Sequence, residues 1–152
     1  MHRIIVQNTV SCQMVPSSQQ LKKWAKAALE NEKNPCELTL RIVDPAEMTD
    51  LNSHYRKKKG PTNVLSFPFD EPFDETSKRT YLGDIVICAE IVNNEALTQQ
   101  KTNDAHWAHI VIHGSLHLLG FDHIEDADAE KMEKKEIQIL KILGFANPYI
   151  GD

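Results

Sequence analysis

The sequence predicts an α+β fold: a single domain in which a small mixed β-sheet packs against helices. Short runs typical of strands are interleaved with longer amphipathic runs typical of helices, in the order β-α-β-α-β-β-α-α-α. The 152 residues are 41% hydrophobic and 26% charged, a composition that suits one compact domain with its own core. We therefore expect residues 1–152 to form a single domain.

The first half of the chain alternates strands with helices. The predicted elements are a strand at 3–7, a helix at 19–32, a strand at 37–43, a helix from 45 to about 55 and a strand at 62–69. Apolar residues recur at helical spacing along the first helix and alternate with polar residues along the second strand. Asp44 and Pro45 supply an N-cap and a first helical residue for the second helix. Pro68 cannot donate a ladder hydrogen bond, so its strand is expected to lie at an edge or to end there.

The second half is predominantly helical. It is predicted to contain a loop at 70–80, a strand at 82–89, and helices at 91–100, 103–119 and 126–143. Apolar residues surround most of the helix at 103–119, which predicts that it is buried at the centre of the domain. Gly120 and Gly144 follow the last two helices and are typical helix-ending residues.

Charge, hydropathy and cysteine content exclude several classes of protein. The chain carries 17 Lys and Arg against 22 Asp and Glu, so its net charge of −5 argues against coating nucleic acid by electrostatics alone. No apolar run approaches the ~20 residues that span a bilayer, and the N-terminus lacks the pattern of a secretory signal, so a cytoplasmic location is expected. The three cysteines form no CxxC pair, which predicts reduced thiols rather than disulfides or a thiolate zinc cluster.

The most informative motif is a set of three histidines, His113, His117 and His123, in the pattern HxxxHxxGxxH. Residues four apart lie on one helical face, so His113 and His117 can reach one ion. Gly120 can adopt a left-handed conformation that turns the chain and brings His123 toward the same point. Three imidazoles with one open position are typical of a catalytic zinc, so we expect one Zn²⁺ per chain.

Other histidines offer alternative metal sites. His109 is four residues before His113, so this pair could bind a metal instead, and His106 lies one turn earlier. No following turn supplies a third ligand in that register. We therefore expect His109, together with Asp122, to contact the metal ligands rather than the ion.

The histidine motif matches the zinc-protease pattern HExxHxxGxxH at every ligand position, but Gly114 replaces the glutamate. Glycine cannot accept a proton from water, which argues against peptide hydrolysis. Folding could still bring a carboxylate from Glu90, Glu95 or Asp122 to the site.

Taken as a whole, the chain resembles the bacterial YbeY family of metal-dependent, single-strand-specific endoribonucleases of ribosomal RNA maturation. The segments that carry the resemblance are 51–56 (LNSHYR), 61–68 (PTNVLSFP), 82–87 (LGDIVI) and 113–123 (HGSLHLLGFDH). The resemblance implies that His113, His117 and His123 are zinc ligands and that Arg56 is a catalytic or RNA-binding residue. It also implies a cytoplasmic protein that processes the 3′ end of small-subunit ribosomal RNA and acts in late ribosome quality control.

The chemistry of the residues around Arg56 is compatible with an RNA substrate. A guanidinium can grip two phosphate oxygens and stabilise their charge. Lys57, Lys58 and Lys59 extend the positive run and are predicted to steer phosphates. The aromatic residues Tyr55, Phe67 and Phe69 could stack on unpaired bases. We expect them to lie in the core instead, as strand aromatics more often do.

The partners expected from these features are single-stranded RNA, ribosomal RNA, and the ribosome or its proteins. Three alternatives stay open at this point: a zinc hydrolase of another class such as a peptidase, a non-enzymatic ribosome-assembly factor, and a structural metal site.

Overall fold

The computed structural model describes residues 2–11, 14–69, 78–121 and 125–149, together with the backbone of 73–74. Within these residues the chain forms the α+β domain that the sequence predicts. The strands are β1 (Arg3–Asn8), β2 (Cys36–Val43), β3 (Val64–Pro68), β4 (Phe73–Asp74) and β5 (Arg79–Cys88). The helices are α1 (Ser18–Leu29), α2 (Pro45–Arg56), α3 (Ala89–Thr98), α4 (Asn103–Leu118) and α5 (Asp126–Leu143).

The described strands form one mixed sheet in the order β1-β2-β5-β3, with β4 pairing on β5 beside this path. Strands β1, β2 and β5 run parallel, whereas β3 and β4 are antiparallel to β5. Strand β3 therefore lies at an edge, which confirms the expectation for Pro68, the last residue of that strand.

The sheet separates two hydrophobic clusters, because alternate residues of a strand point to opposite faces. Ile85 and Ile87 of β5 pack in the larger cluster with helices α1, α4 and α5. Val86 and Cys88 pack in the smaller cluster with Met48 of α2. Helices α2 and α4 thus lie on opposite faces of the sheet. Trp107 and Leu116 of α4 are fully buried, which confirms its predicted central position.

Some element boundaries differ from those expected. Strand β5 begins at Arg79 rather than at residue 82, and the two-residue strand β4 lies within the expected loop at 70–80. Thr80 pairs with both Cys36 of β2 and Phe73 of β4. Sheet pairing uses backbone groups. The polar residues Arg79 and Thr80 can therefore pair within the sheet, although they lack the alternation of apolar and polar residues that predicts a strand from sequence.

No helix within the described ranges has the length and apolar character needed to cross a membrane.

Candidate metal centre

Helix α4 presents the histidine motif, and both of its ends are fixed by local hydrogen bonds. At its start, the Thr102 hydroxyl accepts a hydrogen bond from Ala105 N at 3.1 Å. At its end, Gly120 has a φ of 99° and donates to His117 O at 3.0 Å, while Phe121 N donates to Leu116 O at 3.1 Å. This is a Schellman motif, and it confirms the left-handed turn predicted at Gly120.

The structure brings His113 and His117 together on one face of α4. Their Nε2 atoms are 3.2 Å apart, and both rings are partly buried. Two nitrogens bound to one tetrahedral zinc at about 2.0–2.1 Å would be about 3.3–3.4 Å apart, so the pair already has a suitable spacing for a shared ion. His123 and Asp122 lie outside the described residues.

Glu136 of α5 is a buried carboxylate beside this pair. Its side chain is only 1% exposed. Glu136 Oε2 lies 2.9 Å from His113 Nδ1, and Oε1 lies 2.7 Å from His109 Nε2. The Tyr149 hydroxyl donates a third hydrogen bond to Oε1 at 2.5 Å. Glu136 therefore joins helices α4 and α5 through two histidines of the motif region.

These contacts determine the charge state of Glu136. Burial by itself raises the pKa of a carboxyl group, but the hydrogen bonds from His109, His113 and Tyr149 oppose it and lower the pKa of Glu136 to about 2. Burial and the same carboxylate raise the pKa of the Tyr149 hydroxyl well above its usual value. Glu136 is thus an ionised acceptor and Tyr149 a neutral donor.

The set His109, His113 and Glu136 could itself hold a metal ion, since one ligand atom from each lies within 4.8 Å of the others. It contains the His109–His113 pair, which the sequence offers as an alternative metal site. The two arrangements share His113 and differ in which of its ring nitrogens faces the ion: Nδ1 faces Glu136, whereas Nε2 faces His117.

One turn earlier on α4, His106 has a different environment. It is buried, and its Nε2 lies 2.9 Å from Glu95 Oε1 of α3. Burial lowers the pKa of His106, while Glu95 partly opposes this shift. The Asn63 amide donates to both oxygens of the same carboxylate at 3.1 and 3.3 Å. His106 is thus part of a packed polar network between α3 and α4.

A cleft of about 360 Å³ opens beside these side chains. Asn63, Glu95, His109, His113 and Tyr149 are among the residues that line it. Most of the polar groups that surround the motif therefore face one solvent-accessible space.

Gly114 faces the sheet rather than the cleft. A Cβ atom at this position would lie 2.8 Å from Ile85 Cγ2 and 3.4 Å from Ser66 Oγ. Gly114 O accepts a hydrogen bond from Ser66 Oγ at 3.3 Å. The glycine that replaces the protease glutamate thus allows α4 to approach β5 and β3 closely, and a longer side chain would not fit there.

Arg56 and the three lysines that follow it are all exposed, at the end of α2. Lys57 has a φ of 58° and ends the helix in a left-handed turn. The buried Asn52 amide donates to Gly60 O at 2.9 Å, which ties the lysine loop to the helix. Arg56 thus extends from a fixed helix end.

Edge strand β3 contacts both helix α4 and helix α2. Ser66 of β3 contacts α4 through Gly114, whereas Phe67, the next residue, contacts Tyr55 of α2 with ring centroids 5.3 Å apart. Consecutive residues of β3 thus contact the helix that carries the histidine pair and the helix that ends at Arg56. Tyr55 and Phe69 are 60% and 52% exposed, so the expectation that these two rings belong to the core is wrong.

Sequence reasoning did not find Glu136 or Tyr149. Glu136 is one of seven acidic residues between 122 and 136, so its charge is not distinctive in this segment of the sequence. A signal was nevertheless present. Glu136 follows Met132 by four residues and precedes Leu140 by four, so it occupies the apolar stripe of α5, where a charge requires a buried partner.

The mixed sheet, the buried helix and the histidine–carboxylate cluster define a small α+β domain with a candidate metal site. The sequence matches the family described as Endoribonuclease YbeY over residues 5–144. The chain therefore belongs to the YbeY family, whose members are metal-dependent endoribonucleases that act in ribosomal RNA processing.

A solved structure supports the fold. The solution structure of TM1509 from Thermotoga maritima is similar to this chain with a TM-score of 0.59 and 26% sequence identity. The similarity covers 94% of this chain and 91% of the other.

Proposed function

We propose that this chain is a zinc-dependent, single-strand-specific endoribonuclease that matures the 3′ end of small-subunit ribosomal RNA and acts in late ribosome quality control in the cytoplasm. Family membership supports RNA as the substrate. The observation that carries the metal site is the 3.2 Å separation of His113 Nε2 and His117 Nε2.

The proposed zinc ligands are His113, His117 and His123. The donor set fits the ion because imidazole nitrogens suit zinc, and because the spacing of the first two matches that of ligands on one tetrahedral centre. A bound zinc would supply Lewis acidity toward a phosphodiester and toward water. The Schellman turn at Gly120 supports the third ligand, since it ends α4 and turns the chain three residues before His123.

Arg56 is proposed to bind the phosphates of the substrate and to stabilise the charge on their oxygens. Lys57, Lys58 and Lys59 attract the backbone, and the exposed ring of Tyr55 offers a surface on which an unpaired base can stack. An unpaired strand, unlike a duplex, can offer its bases to this ring, which favours single-stranded RNA as the substrate.

The charge distribution favours assistance from a ribosomal partner. The chain has a net charge of −5, and its basic run at 56–59 is short. Few phosphates can therefore be neutralised at once, which predicts weak, local and salt-sensitive RNA binding. A ribosome or a ribosomal protein that holds the RNA would raise its concentration at the site.

The proposal is tested by incubating purified wild-type protein and His117→Ala with a single-stranded RNA, with the same RNA in a duplex, and with an unstructured protein. We expect wild type to cleave only the single-stranded RNA. His117→Ala should lose at least about 100-fold in rate, since it removes a ligand of the ion that activates the reaction. Gln19→Ala, at an exposed position of α1, is the matched control and should cleave as wild type does.

Cleavage of the protein substrate instead of RNA would favour a peptidase. RNA binding with no cleavage by any sample would favour an assembly factor. An RNase rate that does not change in His117→Ala would contradict the proposed site and indicate a contaminating nuclease.

A further inference from the structure

Glu136 is the buried charge that the proposed reaction does not use. Its carboxylate lies on the apolar face of α5, near the buried residues Met132, Ile139 and Leu140. Burial of an ionised carboxylate is unfavourable unless hydrogen bonds compensate for the lost water. This cost in free energy at the contact between α4 and α5 indicates that the carboxylate has a role. Its hydrogen-bond partners show which residues that role involves.

The contacts of Glu136 determine the tautomer of His113. An ionised carboxylate can only accept hydrogen bonds, so His113 Nδ1, 2.9 Å from Oε2, must carry a hydrogen and donate it. In a neutral imidazole the other nitrogen then carries a lone pair. That nitrogen is Nε2, which points toward His117 Nε2 at 3.2 Å.

The remaining contacts hold the carboxylate itself in place. Tyr149 OH and His109 Nε2 both lie within hydrogen-bond distance of Glu136 Oε1, at 2.5 and 2.7 Å. With Oε1 held from two sides, rotation of the carboxylate is restricted and Oε2 stays directed at His113. The tyrosine and His109 thereby fix the direction in which the His113 ring can donate.

We propose that Glu136 is a positioning residue for the metal site, which holds His113 in the tautomer and ring orientation that direct Nε2 toward the ion. Tyr149 and His109 hold the Glu136 carboxylate in turn. This inference rests on the proposed function only in taking His113 and His117 as ligands.

The geometry favours positioning by Glu136 over direct ligation by it. In a tetrahedral zinc site the ligand atoms are about 3.3 Å or more apart. Glu136 oxygens lie 2.7 Å from His109 Nε2 and 2.9 Å from His113 Nδ1, which are hydrogen-bond distances. The two nitrogens of one imidazole also point in different directions, so His113 can turn only one of them toward an ion.

The test measures tautomer and zinc affinity in the full chain without RNA. Nitrogen-15 NMR of the histidine rings in metal-free protein reports which nitrogen of His113 carries the hydrogen. Competition with a chelating dye then gives the zinc affinity and the number of ions bound at saturation. The variants are Glu136→Gln and, as the matched control, Glu133→Gln, which removes an exposed carboxylate from the same helix.

We expect wild type and Glu133→Gln to hold His113 with its hydrogen on Nδ1. Glu136→Gln should mix the two tautomers and weaken zinc binding about 10- to 100-fold, with one ion still bound at saturation. Unchanged affinity with an unchanged tautomer would overturn the proposal. Complete loss of zinc, as expected for His113→Ala, would also overturn it, because Glu136 would then be a ligand.

A second variant keeps the test decisive if Glu136→Gln does not fold. Tyr149→Phe removes one hydrogen bond to Glu136 at a side chain that is 45% exposed. We expect it to weaken zinc binding about two- to tenfold, and an unchanged affinity would contradict the proposal. No RNA is present in these measurements. The tautomer of His113 and the zinc affinity can therefore be measured even if the protein does not cleave RNA. Full zinc binding by His113→Ala would contradict the ligand set instead.

Discussion

Arg56 ends α2 with an exposed side chain, one residue after the exposed ring of Tyr55. A guanidinium offers a planar fork of donors that fits two oxygens of one phosphate, whereas a lysine ammonium offers a point charge. Since the helix end is fixed by Asn52 and Lys57, the fork extends from a defined origin. We therefore expect the shape of the guanidinium, and not only its charge, to contribute to the rate of RNA cleavage.

Replacement of Arg56 tests this at the level of one residue. We expect Arg56→Ala to reduce cleavage of single-stranded RNA about 100- to 1,000-fold, as for the loss of a donor to a developing charge. Arg56→Lys should recover only part of that rate. Steady-state kinetics with zinc-loaded protein measures both. Arg3→Lys, at an exposed arginine of β1, is the control and should match wild type. A wild-type rate for Arg56→Lys would show that charge alone suffices.

Individual residues also show why part of the site could be predicted and part could not. His113 and His117 are related by helical spacing, which is a local property of the sequence. Glu136, in contrast, is 23 residues from His113 along the chain, and its contact with His113 depends on how α5 packs against α4. No local pattern encodes that distance, although the charge in the apolar stripe of α5 indicates a buried partner.

At the level of elements, the approach of α4 to the sheet depends on Gly114. Ile85 of β5 is fully buried, so its Cγ2 methyl cannot move away easily from an added Cβ at 2.8 Å. The same packing leaves little room for a glutamate side chain at this position of α4.

We therefore expect Gly114→Ala to destabilise the domain despite the better helix propensity of alanine. Overpacking of a core costs about 1–3 kcal/mol, against a gain of roughly 1 kcal/mol from replacing glycine within a helix. Denaturant unfolding should show a lower free energy of unfolding. The double variant with Ile85→Ala, which removes the clashing methyl, should be less destabilised than the sum of the two single changes. A Gly114→Ala protein more stable than wild type would contradict this packing.

The elements themselves were predicted well where caps and periodicity agree. Helix α4 runs from Asn103 to Leu118 against an expected 103–119, because Thr102 and Gly120 fix its ends. Strand β5 was placed three residues late, because Arg79 and Tyr81 pair through their backbones and lack the apolar alternation of a strand.

For the whole molecule, the order of strands decides which functional residues meet. The sequence predicts a mixed sheet, but not that α2 and α4 lie on opposite faces or that β3 forms the edge between them. Pairing between distant strands depends on tertiary packing that a single sequence does not display. The sequence therefore does not predict how the end of α2 at Arg56 is arranged relative to the histidines of α4.

The charge of the whole chain can be divided in the same way. Residues 122–136 hold seven acids and three bases, a net −4, which leaves −1 for the rest of the chain out of the total of −5. The basic run at 56–59 contributes +4 to that remainder. A chain that is acidic overall therefore keeps a local basic surface at the end of α2, which is compatible with a short RNA-binding site.

We propose above that a zinc ion held by His113 and its partners drives RNA cleavage. Bound zinc and cleavage of single-stranded RNA should be measured on the same samples of wild type, chelator-treated wild type, reconstituted wild type and His113→Ala. We predict one zinc per chain, cleavage in proportion to bound zinc, recovery on reconstitution, and loss of both properties in His113→Ala. Cleavage at the wild-type rate by metal-free protein, or by His113→Ala, would contradict the account.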